Sequence, residues 1–189
     1  LIVDRGNHYE AAFEEYLRQR KLPYIPVDET RRATLARGGP VKSLDFIVYG
    51  EKGCRLLVDV KGRRYPGKSA GKPRGTWECW STRDDVDGLL RWQEIFGYGF
   101  DGALVFMYKL GERVELPVDT PDLWRWKGQR YLLRAVLIDD YAEKMKTRSP
   151  KWKTVCLSSA AYKELVKPFW EITHLREFMA RKPRQVATA

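Results

Sequence analysis

Two β-rich runs, Leu44 to Tyr49 and Arg55 to Lys61, flank Glu51-Lys52-Gly53, and this pair constrains the fold more than any other stretch of the chain. A three-residue connection ending in glycine suits a type I turn followed by a G1 bulge, because glycine takes the left-handed position without steric cost. With Lys52 at the centre of that loop, Asp45 faces Asp59 and Ile47 faces Leu57. Residues opposed across a strand pair share a face, and side chains alternate along each strand. Asp45, Asp59 and Lys61 are therefore expected on one face, with Leu56, Val58 and Val60 on the other.

Two carboxylates converging on a strand pair suit Mg²⁺, a hard ion that takes oxygen ligands at about 2.0–2.1 Å and keeps waters that substrate phosphates can replace. A lysine beside them can orient or deprotonate a water, or neutralise charge developing on a phosphate. An Asp-x-Lys on a strand also serves in ordinary proteins as a surface ion pair. The spaced Asp45, the apolar strands and the helix upstream are what point to chemistry here.

On these residues the sequence resembles the PD-(D/E)xK nuclease superfamily: Asp45, thirteen intervening residues, then Asp59-Val60-Lys61. Ser43-Leu44 stands where that signature has proline before the first aspartate, and Asp59 takes the position often held by glutamate. The resemblance implies an α/β fold with a restriction-endonuclease-like core, a central mixed sheet flanked by helices, over about residues 7–110. It implies metal-dependent hydrolysis of DNA phosphodiesters, leaving a 5′-phosphate and a 3′-hydroxyl. Asp45 and Asp59 would hold Mg²⁺, with Mn²⁺ as substitute, and Lys61 would activate or position the attacking water.

The helix ahead of the hairpin opens at Asn7-His8-Tyr9-Glu10, with Tyr9, Ala12, Phe13, Tyr16 and Leu17 on one arc at helical spacing. The resemblance implies a glutamate on this helix as a third metal ligand, directly or through water, with Glu10 the better match and Glu14 the second. Asn7 and Glu10 also form a variant capping box that needs no metal, so both roles stay open. A second helix is expected from a capping signal at Ser81-Thr82-Arg83-Asp84 to about Phe96, closed by Gly97. Gln93 falls on its inner arc, where a polar amide needs a partner or a function. The resemblance implies an accessory catalytic role for Gln93, and a core glutamine bonded to backbone is the alternative.

Charge narrows the partner. Thirty-five Lys and Arg against twenty-five Asp and Glu give a net charge of +10, which favours a polyanion, in the first place nucleic acid. Gly62 to Gly75 carries Arg63, Arg64, Lys68, Lys72 and Arg74 without an acidic residue, and is expected to be a flexible loop that clasps a nucleic-acid backbone. Trp77 and Trp80 follow directly, as core anchors or base-stacking platforms. Lys144, Lys146, Arg148, Lys151 and Lys153 form a second basic cluster.

Cys54, Cys79 and Cys156 are odd in number and widely spaced, which argues for a reducing compartment; localisation is expected to be cytoplasmic or nucleoid-associated. The longest apolar run, Ala103 to Tyr108, is far too short to span a bilayer. One domain is expected across 1–189, with a buried strand over Phe100 to Lys109, a strand over Tyr131 to Ile138, additions over about 111–181 and a basic tail at 182–189. Within the additions, Arg113 to Leu116 is expected to hairpin back, and Thr173 to cap a last helix to about Arg181. A homodimer, setting two sites on opposite strands, is compatible with this reading. So is a non-catalytic nucleic-acid-binding module or partner-binding subunit of a repair or defence assembly on the same fold.

Overall fold

Alternating and β-branched residues make Arg55 to Tyr65 one continuous strand, four residues longer than the apolar run alone suggests. The computed structural model describes residues 8–27, 34–35, 39–40, 42–65, 67 and 77–174. The elements are α1 (His8–Gln19), β1 (Tyr24–Pro26), β2 (Thr34–Leu35), β3 (Gly39–Pro40), β4 (Phe46–Tyr49), β5 (Arg55–Tyr65) and β6 (Ser81–Thr82). There follow α2 (Arg83–Phe96), β7 (Asp101–Leu110), β8 (Leu123–Trp126), β9 (Gln129–Leu137) and α3 (Ile138–Lys144). The described chain closes with β10 (Lys146–Ser149), β11 (Thr154–Cys156), α4 (Ser159–Leu165), β12 (Lys167–Pro168) and α5 (Phe169–His174).

The main sheet is mixed, in the order β1-β4-β5-β7-β9-β12, with β8 also on β9. β5 and β7 are parallel, joined through α2 as parallel neighbours require, and the other pairs are antiparallel. The hairpin register is the expected one, with Ile47 opposite Leu57 and Phe46 opposite Val58. Its turn differs in type. Lys52 and Gly53 both have positive φ, 51° and 79°, so the central pair is that of a primed turn, whose twist matches the strands better than type I.

Two apolar layers sandwich this sheet. On one face α1 lays Phe13, Tyr16 and Leu17 over Phe46, Val58, Val60 and Val105. On the other, Val86 and Leu89 of α2 and Ile138 and Tyr141 of α3 cover Leu57, Leu104 and Phe106. β7 is buried from Gly102 to Tyr108, as a strand covered on both faces must be. α2 begins one residue later than its capping signal suggests: Thr82 is the N-cap and Asp85 the third helical residue of a full capping box. Gly97, at φ 74°, ends it.

The chain after residue 110 is built into the same sheet through β9, β8 and β12 rather than set apart. Arg113 to Leu116 does not form the expected return strand. The strand that returns antiparallel beside β7 is β9, and β8 pairs with the other edge of β9, its Trp124 and Trp126 opposite Tyr131 and Gln129 across a tight turn at Lys127-Gly128. Thr173 does not cap a further helix; it lies within α5 and donates to Phe169 and Trp170 carbonyls, and the helix expected to reach Arg181 falls outside the described residues.

Candidate active site

Alternation along β5 sends Leu56, Val58 and Val60 toward α1 and leaves Leu57, Asp59 and Lys61 toward α2. Asp59 is 7% exposed, and its Oδ2 lies 2.8 Å from Lys61 Nζ. Asp45 stands where β4 begins, is 6% exposed, and accepts a 2.6 Å hydrogen bond from Val60 N–H through Oδ2. Its backbone N–H donates to Val58 and its carbonyl accepts from Val27. The carboxylate thus replaces a ladder acceptor at the start of β4 and is fixed to the residue between Asp59 and Lys61.

A further acid enters from α2. Asp85 Oδ2 lies 3.1 Å from Lys61 Nζ and also accepts from Ser81 Oγ at 3.0 Å and Thr82 N–H at 2.9 Å. Its other oxygen pairs with Lys42. The segment bearing Lys42 is held over α2 by a 2.8 Å bond from Trp92 Nε1 to the Lys42 carbonyl. Sequence reasoning missed Asp85. The signal was Thr82-x-x-Asp85, which places a carboxylate in the first turn of the helix that follows the lysine strand.

The ionisation of this cluster follows from burial and neighbours. Burial pushes the Asp59 carboxyl up; Lys61 opposes this, and the Asp85 charge adds to it. Burial also works against the Lys61 ammonium, yet Asp59 and Asp85 together outweigh it and hold its pKa above the ordinary lysine value. For Asp85, burial is outweighed by Lys61 and by hydrogen bonds from Lys42 and Thr82, so it stays well below the usual carboxylate range. Lys61 is therefore a fixed cation and hydrogen-bond donor in this arrangement, not a ready base.

The donor set fits a hard divalent cation. Asp45 and Asp59 present buried carboxylates, and a cation beside Asp59 would offset the burial that disfavours its anion. Mg²⁺ needs only one or two protein carboxylates, the rest being water and phosphate oxygens. Among the described residues, no three His, Cys, Asp or Glu side chains gather at ligating spacing, so Glu10 is not grouped with Asp45 and Asp59. Glu10 is half-buried in the first turn of α1, where the adjacent Tyr9 ring covers Gly62. Glu14 accepts from Arg18 at 2.7 Å and from Tyr24 Oη at 2.9 Å.

The other expected site residues separate. Gln93 accepts from Gly102 N–H at 2.7 Å and donates to Asp139 at 3.1 Å, tying α2 to β7 and α3. Arg63 and Arg64 belong to β5 and not to a flexible loop. Arg63 is 8% exposed, donates to the Gly62 and Trp80 carbonyls, and lies 3.9 Å from the centre of the Trp80 ring; Arg64 is exposed. Lys68, Lys72 and Arg74 lie outside the described residues. Trp77 stacks on Tyr65 at 3.7 Å and meets Tyr108 edge-on, a core contact.

No family model matches this chain, and no curated protein matches it. Among solved structures it is similar to Hjc, a Holliday junction resolvase from the archaeal hyperthermophile Archaeoglobus fulgidus, with a TM-score of 0.50 at 14% identity. The match covers 89% of this chain and 94% of that one. The mixed sheet with helices on both faces agrees with it, and the chain has a restriction-endonuclease-like fold.

Proposed function

We propose that this protein is a metal-dependent nuclease that hydrolyses DNA phosphodiester bonds. The observation that carries this reading is the set Asp45, Asp59 and Lys61: two buried carboxylates and a partly buried ammonium held on one strand pair, with Asp45 anchored to Val60 N–H. A water-excluding wall with charges of both signs is costly to a fold unless it does something, and hydrolysis of a phosphodiester asks for both.

Asp45 and Asp59 hold the metal in this reading. Bound there, Mg²⁺ or Mn²⁺ would draw charge from a phosphoryl oxygen and acidify a water. Lys61 places its ammonium toward the phosphate or the attacking water, as a donor. Asp85 fixes that ammonium from the helix side and is a positioning residue. Gln93 acts at a distance, by fixing α2 against β7. Glu10 joins only through water, and Arg64 contacts phosphate outside the cluster.

One observation favours a second reading, a nucleic-acid-binding module without turnover: Lys61 is already paired with both Asp59 and Asp85. Calorimetric titration separates the two. The nuclease reading expects Mg²⁺ or Mn²⁺ to bind the wild type and not Asp45→Asn or Asp59→Asn. Metal binding that is identical in all three proteins, or absent from the wild type in the presence of DNA, would favour the binding module.

A further inference from the structure

The second basic cluster includes Lys146, Arg148, Lys151 and Lys153. It lies on the β10–β11 hairpin, where all four are exposed and no acidic residue intervenes between 146 and 153. At the tip Trp152 is 70% exposed, an unusual position for the largest apolar side chain. The tip is structured: Lys153 N–H donates to Pro150, Trp152 N–H to Ser149 Oγ, and Lys151 Nζ lies 5.4 Å from the Trp152 ring centre.

The hairpin is also bound to the catalytic cluster. β11 pairs with β6, Thr154 opposite Thr82 and Val155 opposite Ser81. Arg83 N–H donates 2.8 Å to the Lys153 carbonyl. Ser81 and Thr82 in turn hold Asp85, which holds Lys61. The base of the arm is thus the N-terminus of α2. Beside it, Arg63 and Arg148 both lie over Trp80, at 3.9 and 5.3 Å, carrying positive charge from β5 across to β10.

We propose that the β10–β11 hairpin is an arm that engages unpaired DNA beside the cleaved bond: Trp152 stacks on an exposed base, while Lys146, Arg148, Lys151 and Lys153 hold the flanking phosphates. A fully paired duplex hides its base faces and offers Trp152 nothing to stack on, whereas a single-stranded extension or an open branch does. The cations supply affinity without sequence choice, and the tryptophan supplies the preference for unpaired structure. This inference takes DNA as the ligand from the nuclease reading above.

The test is binding of two labelled DNAs without added metal, a blunt duplex and the same duplex with a single-stranded extension, to wild type, Trp152→Ala and Trp152→Phe. Trp152→Ala is expected to weaken binding of the extended DNA by about tenfold or more and to leave the blunt duplex nearly unchanged. Trp152→Phe should recover most of the loss. Because the residue is exposed, thermal unfolding of all three proteins should coincide. Replacing Lys151 and Lys153 together by alanine should flatten the salt dependence on the extended DNA by about 1 to 2 in log–log slope. Equal affinity of Trp152→Ala and wild type for both DNAs, or an equal loss on both, overturns the arm. If the wild type still cuts DNA in that case, the nuclease reading survives; preferential binding without any cutting would keep the arm and sink the nuclease.

Discussion

Lys61 Nζ lies 3.1 Å from Asp85 Oδ2, which joins Lys61 of β5 to the third residue of α2 in a largely buried ion pair. One carboxylate therefore closes the capping box of a helix and orients the ammonium beside Asp59. Asp85→Ala is expected to destabilise the fold by about 2–4 kcal/mol, from a lost cap and an under-compensated buried lysine. Urea denaturation measures it, and a loss under 0.5 kcal/mol on this scale, roughly that of a neutral surface change, would deny the pair its role.

The two acids that share Lys61 differ in sign. Asp85 is held below its ordinary value, so its contribution is present above the unfolded value near 3.8 and is lost as pH falls through the folded one. The acid limb of the stability profile below about pH 4 should be shallower in Asp85→Asn than in the wild type.

Asp59 runs the other way. Burial raises its carboxyl, so the ionised form costs stability that grows as pH rises through the folded value. Asp59→Asn should melt at a higher temperature than the wild type at pH 7 while losing turnover, the trade expected when a fold carries an unfavourable group for chemistry. The advantage should shrink on acidification. A lower melting temperature at pH 7 would contradict this.

Asp45 has a structural duty that its neighbour lacks. Asp45→Ala leaves Val60 N–H buried without its acceptor and should cost about 1–3 kcal/mol, whereas Asp45→Asn retains an oxygen acceptor and should cost less. Both should lose metal binding. Comparing the two melts with the two metal titrations separates the scaffold from the site.

Gly62 tests how α1 is seated. A Cβ at residue 62 would run into the Tyr9 ring, so Gly62→Ala should cost about 1–3 kcal/mol through forced displacement of that ring. In the Tyr9→Ala background the same change should cost much less. Additive effects would show that the ring does not press on β5.

The hairpin and its register were legible because a short glycine loop between two apolar runs leaves few pairings, and period-two alternation then sorts Asp45, Asp59 and Lys61 from Val58 and Val60. The turn type was not, since a primed turn placed Lys52, a residue with no left-handed preference, at positive φ. Glycine and cations around Arg63 suggest a loop, yet pairing with Tyr108 on a buried β7 extends the strand and turns the side chain inward. Tertiary pairing overrode local composition. The place of Gln93 on the inner arc marks it as a polar side chain in need of partners, and only the fold shows that Gly102 and Asp139 supply them. Asp85 was hidden because a capping residue and an ion-pair partner look the same in sequence.

The most direct measurement is cleavage of labelled linear, branched and single-stranded DNAs in Mg²⁺ and in Mn²⁺ by the wild type and Lys61→Ala. The account predicts cutting that requires metal, is abolished by a chelator, and falls at least about a hundredfold in Lys61→Ala, the scale of losing one charge-stabilising donor. Metal-dependent cutting by Lys61→Ala at the wild-type rate, or binding of every DNA with no cutting by the wild type, would contradict it.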